Sequence, residues 1–229
     1  MGNNKLLDEI LLSDNVAKNF HANYKGDFKE WLDKIVPEFN DCANMGQNNP
    51  WHIYGVLDHI LHSVEAMNNQ TKNLPQDKRR MLAYVMFFHD VGKPQCHITR
   101  MKDGKLIDSF FDHQIASEKI CARSINNFGF SNQEQKQICK LVLMHDIFMY
   151  IVDGKTYNPH KKSLSKELIE DYIKQLNEIG NGKELFGYLC KVGRADNLAQ
   201  NPELTEPSLA LLDKIEKCLT EINIDEPIK

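Results

Sequence analysis

Residues 81–88 read MLAYVMFF, an apolar run broken only by one phenolic hydroxyl. Read as a helix over 77–89, this stretch has no face left for water, so other elements must surround it. Gly92 and Pro94 then stop it. The chain has to fold around this helix, and the helix delivers His89 and Asp90 at its end. An ionised aspartate in apolar surroundings is costly unless it is paired, hydrogen-bonded or bound to a cation. Neighbouring helical residues point roughly 100° apart, so His89 and Asp90 can share one ion only where the helix is ending. On its own the doublet fits two readings: a metal-holding pair, or a helix-terminal turn with a surface histidine.

Helical periodicity dominates the remainder. Segments 5–12 and 15–36 read as helices, the second ended by Pro37, and 40–50 is a polar connection. A helix runs from near Trp51 to about Met67, with Val56, Leu57, Ile60, Leu61, Val64 and Met67 as its apolar stripe. Residues 96–111 change character: two β-prone runs flank Asp103-Gly104, a hairpin signal. Helices follow at about 113–128, 132–148, 164–179, 182–198 and 207–222, with a polar flap at 151–163. The sum is an all-α fold with one small hairpin.

Composition narrows the function. A net charge of −4 and the absence of a long basic block argue against an unspecific grip on nucleic acid. No window reaches the ~18 apolar residues of a membrane span, and the first residues lack a signal-peptide pattern. The expectation is a cytoplasmic protein with no membrane partner. Six cysteines without a CxxC spacing read as mostly buried free thiols in a reducing compartment.

Nine histidines, at 21, 52, 59, 62, 89, 97, 113, 145 and 160, are scattered, so only a fold can gather them. Their order is informative. His59 lies in QNNPWHIYGVLDHIL, His89-Asp90 in HDVGKP, His113 in DSFFDHQ after the hairpin, His145 in LVLMHD and Asp196 in RADNLAQ. This order resembles the HD superfamily of metal-dependent phosphohydrolases. Within it, the chain is most similar to the HD domain attached to tRNA nucleotidyltransferases and poly(A) polymerases. The resemblance covers residues 47–201, and the 46 residues before it are too few for a nucleotidyltransferase head. Gly55 stands where that group often has an acidic residue, and His145 is followed by Asp146 rather than by a second histidine.

The resemblance implies an HD-domain helical bundle with a small β-hairpin insertion. It divides the chain into an N-terminal helical extension (1–46), the HD domain (47–201) and a C-terminal helix (202–229), packed as a single domain. It implies a ligand set of His59, His89, Asp90 and Asp196 for one metal, with Asp90 bridging to a second held by His113 and His145. The cofactor is then one or two divalent ions among Fe, Mn, Co, Ni, Zn or Mg. The implied reaction is hydrolysis of a phosphate ester by a metal-activated hydroxide. Asp90 and Lys93 are the catalytic candidates, and Lys93, Arg194, His62 and His52 the candidates for holding substrate. Arg194 lies two residues before Asp196, on a different helix face. Trp51, Phe110 and Phe111 can stack on a base or belong to the core. The expected partner is a small phosphoester, a nucleotide or a relative of one, with an RNA end as a further option. The rival from another class is a catalytically silent HD module that binds nucleotide or RNA.

Overall fold

The computed structural model describes residues 2–222, which form eleven α-helices, one antiparallel hairpin and several short 3-10 turns. The amino-terminal part holds α1 (Asn3–Leu11), α2 (Val16–Asn23), α3 (Gly26–Ile35) and α4 (Glu38–Ala43). Two long helices follow, α5 (Val56–Gln70) and α6 (Gln76–Phe88). The hairpin pairs β1 (His97–Lys102) with β2 (Lys105–Phe110). Next come α7 (His113–Ser124) and α8 (Asn132–Met144). A two-residue parallel bridge joins β3 (Ile151–Val152) to β4 (Lys162–Ser163). The chain continues through α9 (Lys166–Leu176), α10 (Gly182–Leu198) and α11 (Pro202–Glu221).

The all-apolar helix is the centre, as its composition requires. Every residue from Met81 to Phe88 is 0% exposed, and α6 is packed by α1, α5, α7, α8 and α10. Phe87 stacks on Phe39 of α4 with ring centroids 4.2 Å apart. Tyr84 donates its hydroxyl to Asp8 Oδ1 at 2.8 Å, and Arg80 Nε reaches the same carboxylate at 2.9 Å. That polar clamp fixes α1 along the solvent-side start of α6. Each large side chain buried here contributes about 1.5–3 kcal/mol. One contiguous buried cluster runs from Leu7 to Ile222.

Several element boundaries differ from the sequence expectation, each for a local reason. The helix expected over 15–36 is two helices, because Lys25 is extended at φ −157°, ψ 164° and redirects the chain between them. The connection at 40–50 contains the end of α4. The helix expected from Trp51 starts at Val56, whose N–H donates to Met45 O at 2.9 Å. A Cβ at Gly55 would stand 3.0 Å from that same carbonyl, so a side chain there would be crowded. The last helix begins at Pro202 rather than at Pro207: Asn201 caps it, and a proline at the first position gives up an N–H that has no helical partner anyway. The hairpin turn has Asp103 at φ 50° and Gly104 at φ 76°, the doubly left-handed turn that suits the twist of paired strands. All six cysteines are free, and three of them are buried. Among the described residues no helix is long and apolar enough to cross a membrane.

Candidate metal centre

Five helices deliver six side chains to one buried point. His59 comes from the first turn of α5, and His89 and Asp90 from the end of α6. His113 opens α7, His145 caps α8, and Asp196 lies in the last turn of α10. Gly92 makes the arrangement possible. A Cβ on it would stand 2.4 Å from Ser117 N and 2.7 Å from Ala116 Cβ. Its own N–H donates to Ser117 Oγ at 2.9 Å. The turn after the doublet therefore lies directly against α7, which brings His113 to Asp90.

The last carbonyls of a helix lack intrahelical partners. Here imidazoles serve two of those helix ends. His89 Nδ1 donates to Met86 O at 2.6 Å, and His145 Nδ1 donates to Val142 O at 2.7 Å. His113 Nδ1 donates to Phe110 O at 2.7 Å, and His59 Nδ1 to Ala199 O at 3.2 Å, just past α10. A carbonyl only accepts, so in all four rings Nδ1 carries the proton. Nε2 of each ring points inward, and once its proton is given up it offers the lone pair that a metal-binding histidine needs.

The inward atoms fall into two groups that share Asp90. In the first, His59 Nε2 lies 3.1 Å from Asp90 Oδ2 and 2.9 Å from Asp196 Oδ1. His89 Nε2 lies 3.3 Å from His59 Nε2 and 3.3 Å from Asp90 Oδ2. In the second, Asp90 Oδ1 lies 3.0 Å from His113 Nε2 and 3.7 Å from His145 Nε2, and the two rings are 3.1 Å apart. Donors bound to one ion at ~2.0–2.2 Å stand about 3–3.5 Å from one another, so these separations suit a shared cation. Asp90 Oδ2 is the atom that the first group shares most closely. It is buried without a well-directed hydrogen bond, although Lys93 Nζ stands 2.6 Å away. The ammonium is a close charge whose directed bond goes instead to Gln47 Oε1, at 2.9 Å. In the metal-free molecule the Lys93 ammonium is the counter-charge of this buried oxygen.

Protons stand in for a cation in the metal-free molecule. Burial opposes a charged imidazole, but hydrogen bonds to Asp196 and Asp90 outweigh it and hold His59 up at about 9. At His89 burial is likewise outweighed, by the charge of Asp90 and by hydrogen bonds to both carboxylates, and the ring also sits at about 9. His145 is raised too: burial opposes it, and the charge of Asp146 and the hydrogen bond to Asp90 prevail. Burial pushes Asp90 and Asp196 up, yet the surrounding histidines, with Lys93 beside Asp90, hold both carboxyls well below the usual range.

The remaining expected residues divide. Lys93 is buried against Asp90, with its ammonium over the Phe110 ring. His52 packs edge-on against His59, ring centroids 5.0 Å apart. Burial first, then the charges of Lys93 and His59, push the His52 ring down to about 2, so it stays neutral. His62 is not brought into the cluster. It pairs with Glu65 at 2.8 Å, stacks on Tyr54 and lines a separate recess of about 390 Å³ with Asn69 and Leu198. Arg194 is turned to α11, where its guanidinium meets Asp213 at 2.6 Å and Glu216 at 2.7 Å. Phe110 is buried under Lys93, while Trp51 and Phe111 are exposed.

Two residues were passed over in the sequence. Gln47 holds the Lys93 ammonium and donates its own Nε2 to Tyr54 O at 3.3 Å. Its signal was its place at the head of the QNNPWH stretch. Asp146 places its carboxylate beside His113 and His145, and its signal was the second His-Asp pair, in LVLMHD. No protein-family model matches the chain. The geometry alone establishes a helical fold around a buried His/Asp cluster that can hold a divalent metal ion and is compatible with an HD-like site.

Proposed function

We propose that the chain is an HD-type metal-dependent phosphohydrolase acting on a phosphate ester of a nucleotide or a related small molecule. One observation carries this reading: four imidazole lone pairs and two carboxylates converge in a buried group, and each ring is fixed in its tautomer by a backbone carbonyl. His59, His89, Asp90 and Asp196 would hold one ion, and Asp90, His113 and His145 a second. Divalent ions bound there lower the pKa of a water and offset the charge on phosphoryl oxygens.

The chain's own groups set the rest. His59 and His89 side chains are 0% exposed, whereas Asp196, His113 and Asp146 retain 14%, 10% and 11%. The site therefore opens between α10 and α7, and a phosphate group enters from that side. Lys93 lies buried with Nζ 2.6 Å from Asp90, placed to stabilise charge building up on a phosphoryl oxygen. Gln47 fixes the ammonium in place. The resemblance to the tRNA-nucleotidyltransferase HD domain favours 2′,3′-cyclic nucleotides and nucleoside monophosphates as first substrates.

The test is a phosphoester and nucleotide panel run with Mn²⁺, Co²⁺, Ni²⁺, Fe²⁺, Zn²⁺ and Mg²⁺ on the wild type and on Asp90→Ala. Metal-dependent hydrolysis that the substitution removes supports the reading. Unchanged hydrolysis in Asp90→Ala defeats the mechanism. Bound metal with no turnover of any ester would turn the assignment to a silent nucleotide-binding module.

A further inference from the structure

The second donor group has a neighbour that the ligand set taken from the resemblance leaves out. Asp146 Oδ2 lies 3.4 Å from His113 Nε2, and Asp146 Oδ1 lies 3.5 Å from His145 Nε2. Both rings turn Nε2 toward it, because their Nδ1 groups donate to Phe110 O and Val142 O. Asp146 thus faces two ring nitrogens that a proton or a cation between them can bridge. Among the described residues no lysine or arginine stands within 4.0 Å of it.

We infer that Asp146 is a donor to the second ion, completing the group formed by Asp90, His113 and His145; this rests on the two-ion reading above. Two observations carry it. Its two oxygens stand 3.4 and 3.5 Å from the two ring nitrogens, so the carboxylate borders the set of Asp90, His113 and His145 and joins it by turning inward when the ion binds. Asp146 also brings charge: Asp90 and Asp196 supply two negative charges toward two divalent ions, and Asp146 supplies a third. Its 11% exposure puts it on the open side, so the second ion would be bound at the mouth, within reach of an incoming phosphate.

Metal binding tests the inference without reference to turnover. Wild type and Asp146→Asn are stripped with chelator and titrated with Mn²⁺, free ion being read by its paramagnetic resonance signal. In parallel, Asp146→Cys is loaded with Co²⁺ and its absorbance recorded against Co²⁺-loaded wild type. The expected result is two Mn²⁺ in wild type, and in Asp146→Asn an unchanged first ion with a second weakened at least tenfold. Asp146→Cys should gain a thiolate-to-cobalt charge-transfer band that the wild type lacks. A tenfold loss without that band overturns the donor role, since a supporting contact alone costs about 10–100-fold. Two ions of wild-type affinity in Asp146→Asn, with no band in Asp146→Cys, overturn the inference and leave the two-ion reading standing. A wild type that takes only one ion overturns both.

Discussion

At the end of α6, His89 turns Nδ1 onto the carbonyl three residues back at 2.6 Å, and Asp90 follows it. At the end of α8, His145 does the same at 2.7 Å, and Asp146 follows. The local device is identical, yet the two aspartates stand in different surroundings. Asp90 is 2% exposed, touches four histidines and has Lys93 against it. Asp146 is 11% exposed, touches two histidines and has no lysine or arginine within 4.0 Å among the described residues. The difference comes from what packs on each helix end. Gly92 lets α7 close over the first, while the second carboxylate keeps 11% of its surface exposed. A His-Asp pair thus supplies a fixed imidazole wherever a helix ends. Tertiary packing decides whether its aspartate becomes the hub or the rim of a site.

Substitutions can break this comparison at its strongest point first. Asp90→Ala removes the atom pair common to both groups, and hydrolysis is expected to fall by well over the ~100-fold that a supporting contact costs. Steady-state kinetics at saturating metal check this. Lys93→Met takes the counter-charge from a buried carboxylate, which destabilises the metal-free protein by about 3–5 kcal/mol. Urea unfolding with and without Mn²⁺ should show much of that loss recovered when the ion is present. Asp146→Asn, with no lysine or arginine against the carboxylate, should cost less than Lys93→Met in the same assay without Mn²⁺.

The pH dependence sharpens the hub. His59 and His89 are held at about 9 in the metal-free protein, against an ordinary 6.5. A raised folded-state value means their contribution to stability is complete below pH 6.5 and lost as pH rises through about 9. A metal ion must displace those protons, so its affinity rises across the same window. Thermal melts should therefore show the metal-free Tm falling between pH 6.5 and 9 while the Tm gain from added Mn²⁺ grows. The smallest effect belongs to Arg194→Ala. Its partners on α11 are exposed carboxylates, so the expected loss is about 0.2–1 kcal/mol of stability, with the kinetics unchanged.

What was legible in the sequence follows from what each residue depends on. An eight-residue apolar run admits one place in a helical fold, and residues 81–88 occupy it. The DG turn needs only local backbone chemistry, and the hairpin stands where it pointed. The six residues could be named because the order of their motifs resembled a known pattern, and the structure brings them into two groups that share Asp90. Position relative to distant elements was not legible. Arg194 was read from its nearness to Asp196 in the chain, but α11 offers it two carboxylates that only the packed structure places there. His62, one turn after His59, faces Tyr54 and Glu65 instead of the cluster. Asp146 was read as a departure from a pattern, and its approach to His113 depends on how α7 and α8 pack.

The central claim is that the buried His/Asp cluster is a divalent metal centre with Asp90 at its hub. Metal analysis by inductively coupled plasma mass spectrometry, on protein purified without chelator and then dialysed against Mn²⁺, Co²⁺ or Zn²⁺, tests it most directly. The expected result is a stoichiometric divalent ion retained by the wild type through gel filtration and absent from a folded Asp90→Ala variant. A wild type that leaves every dialysis without bound metal, or an Asp90→Ala variant that retains as much as the wild type, would contradict it.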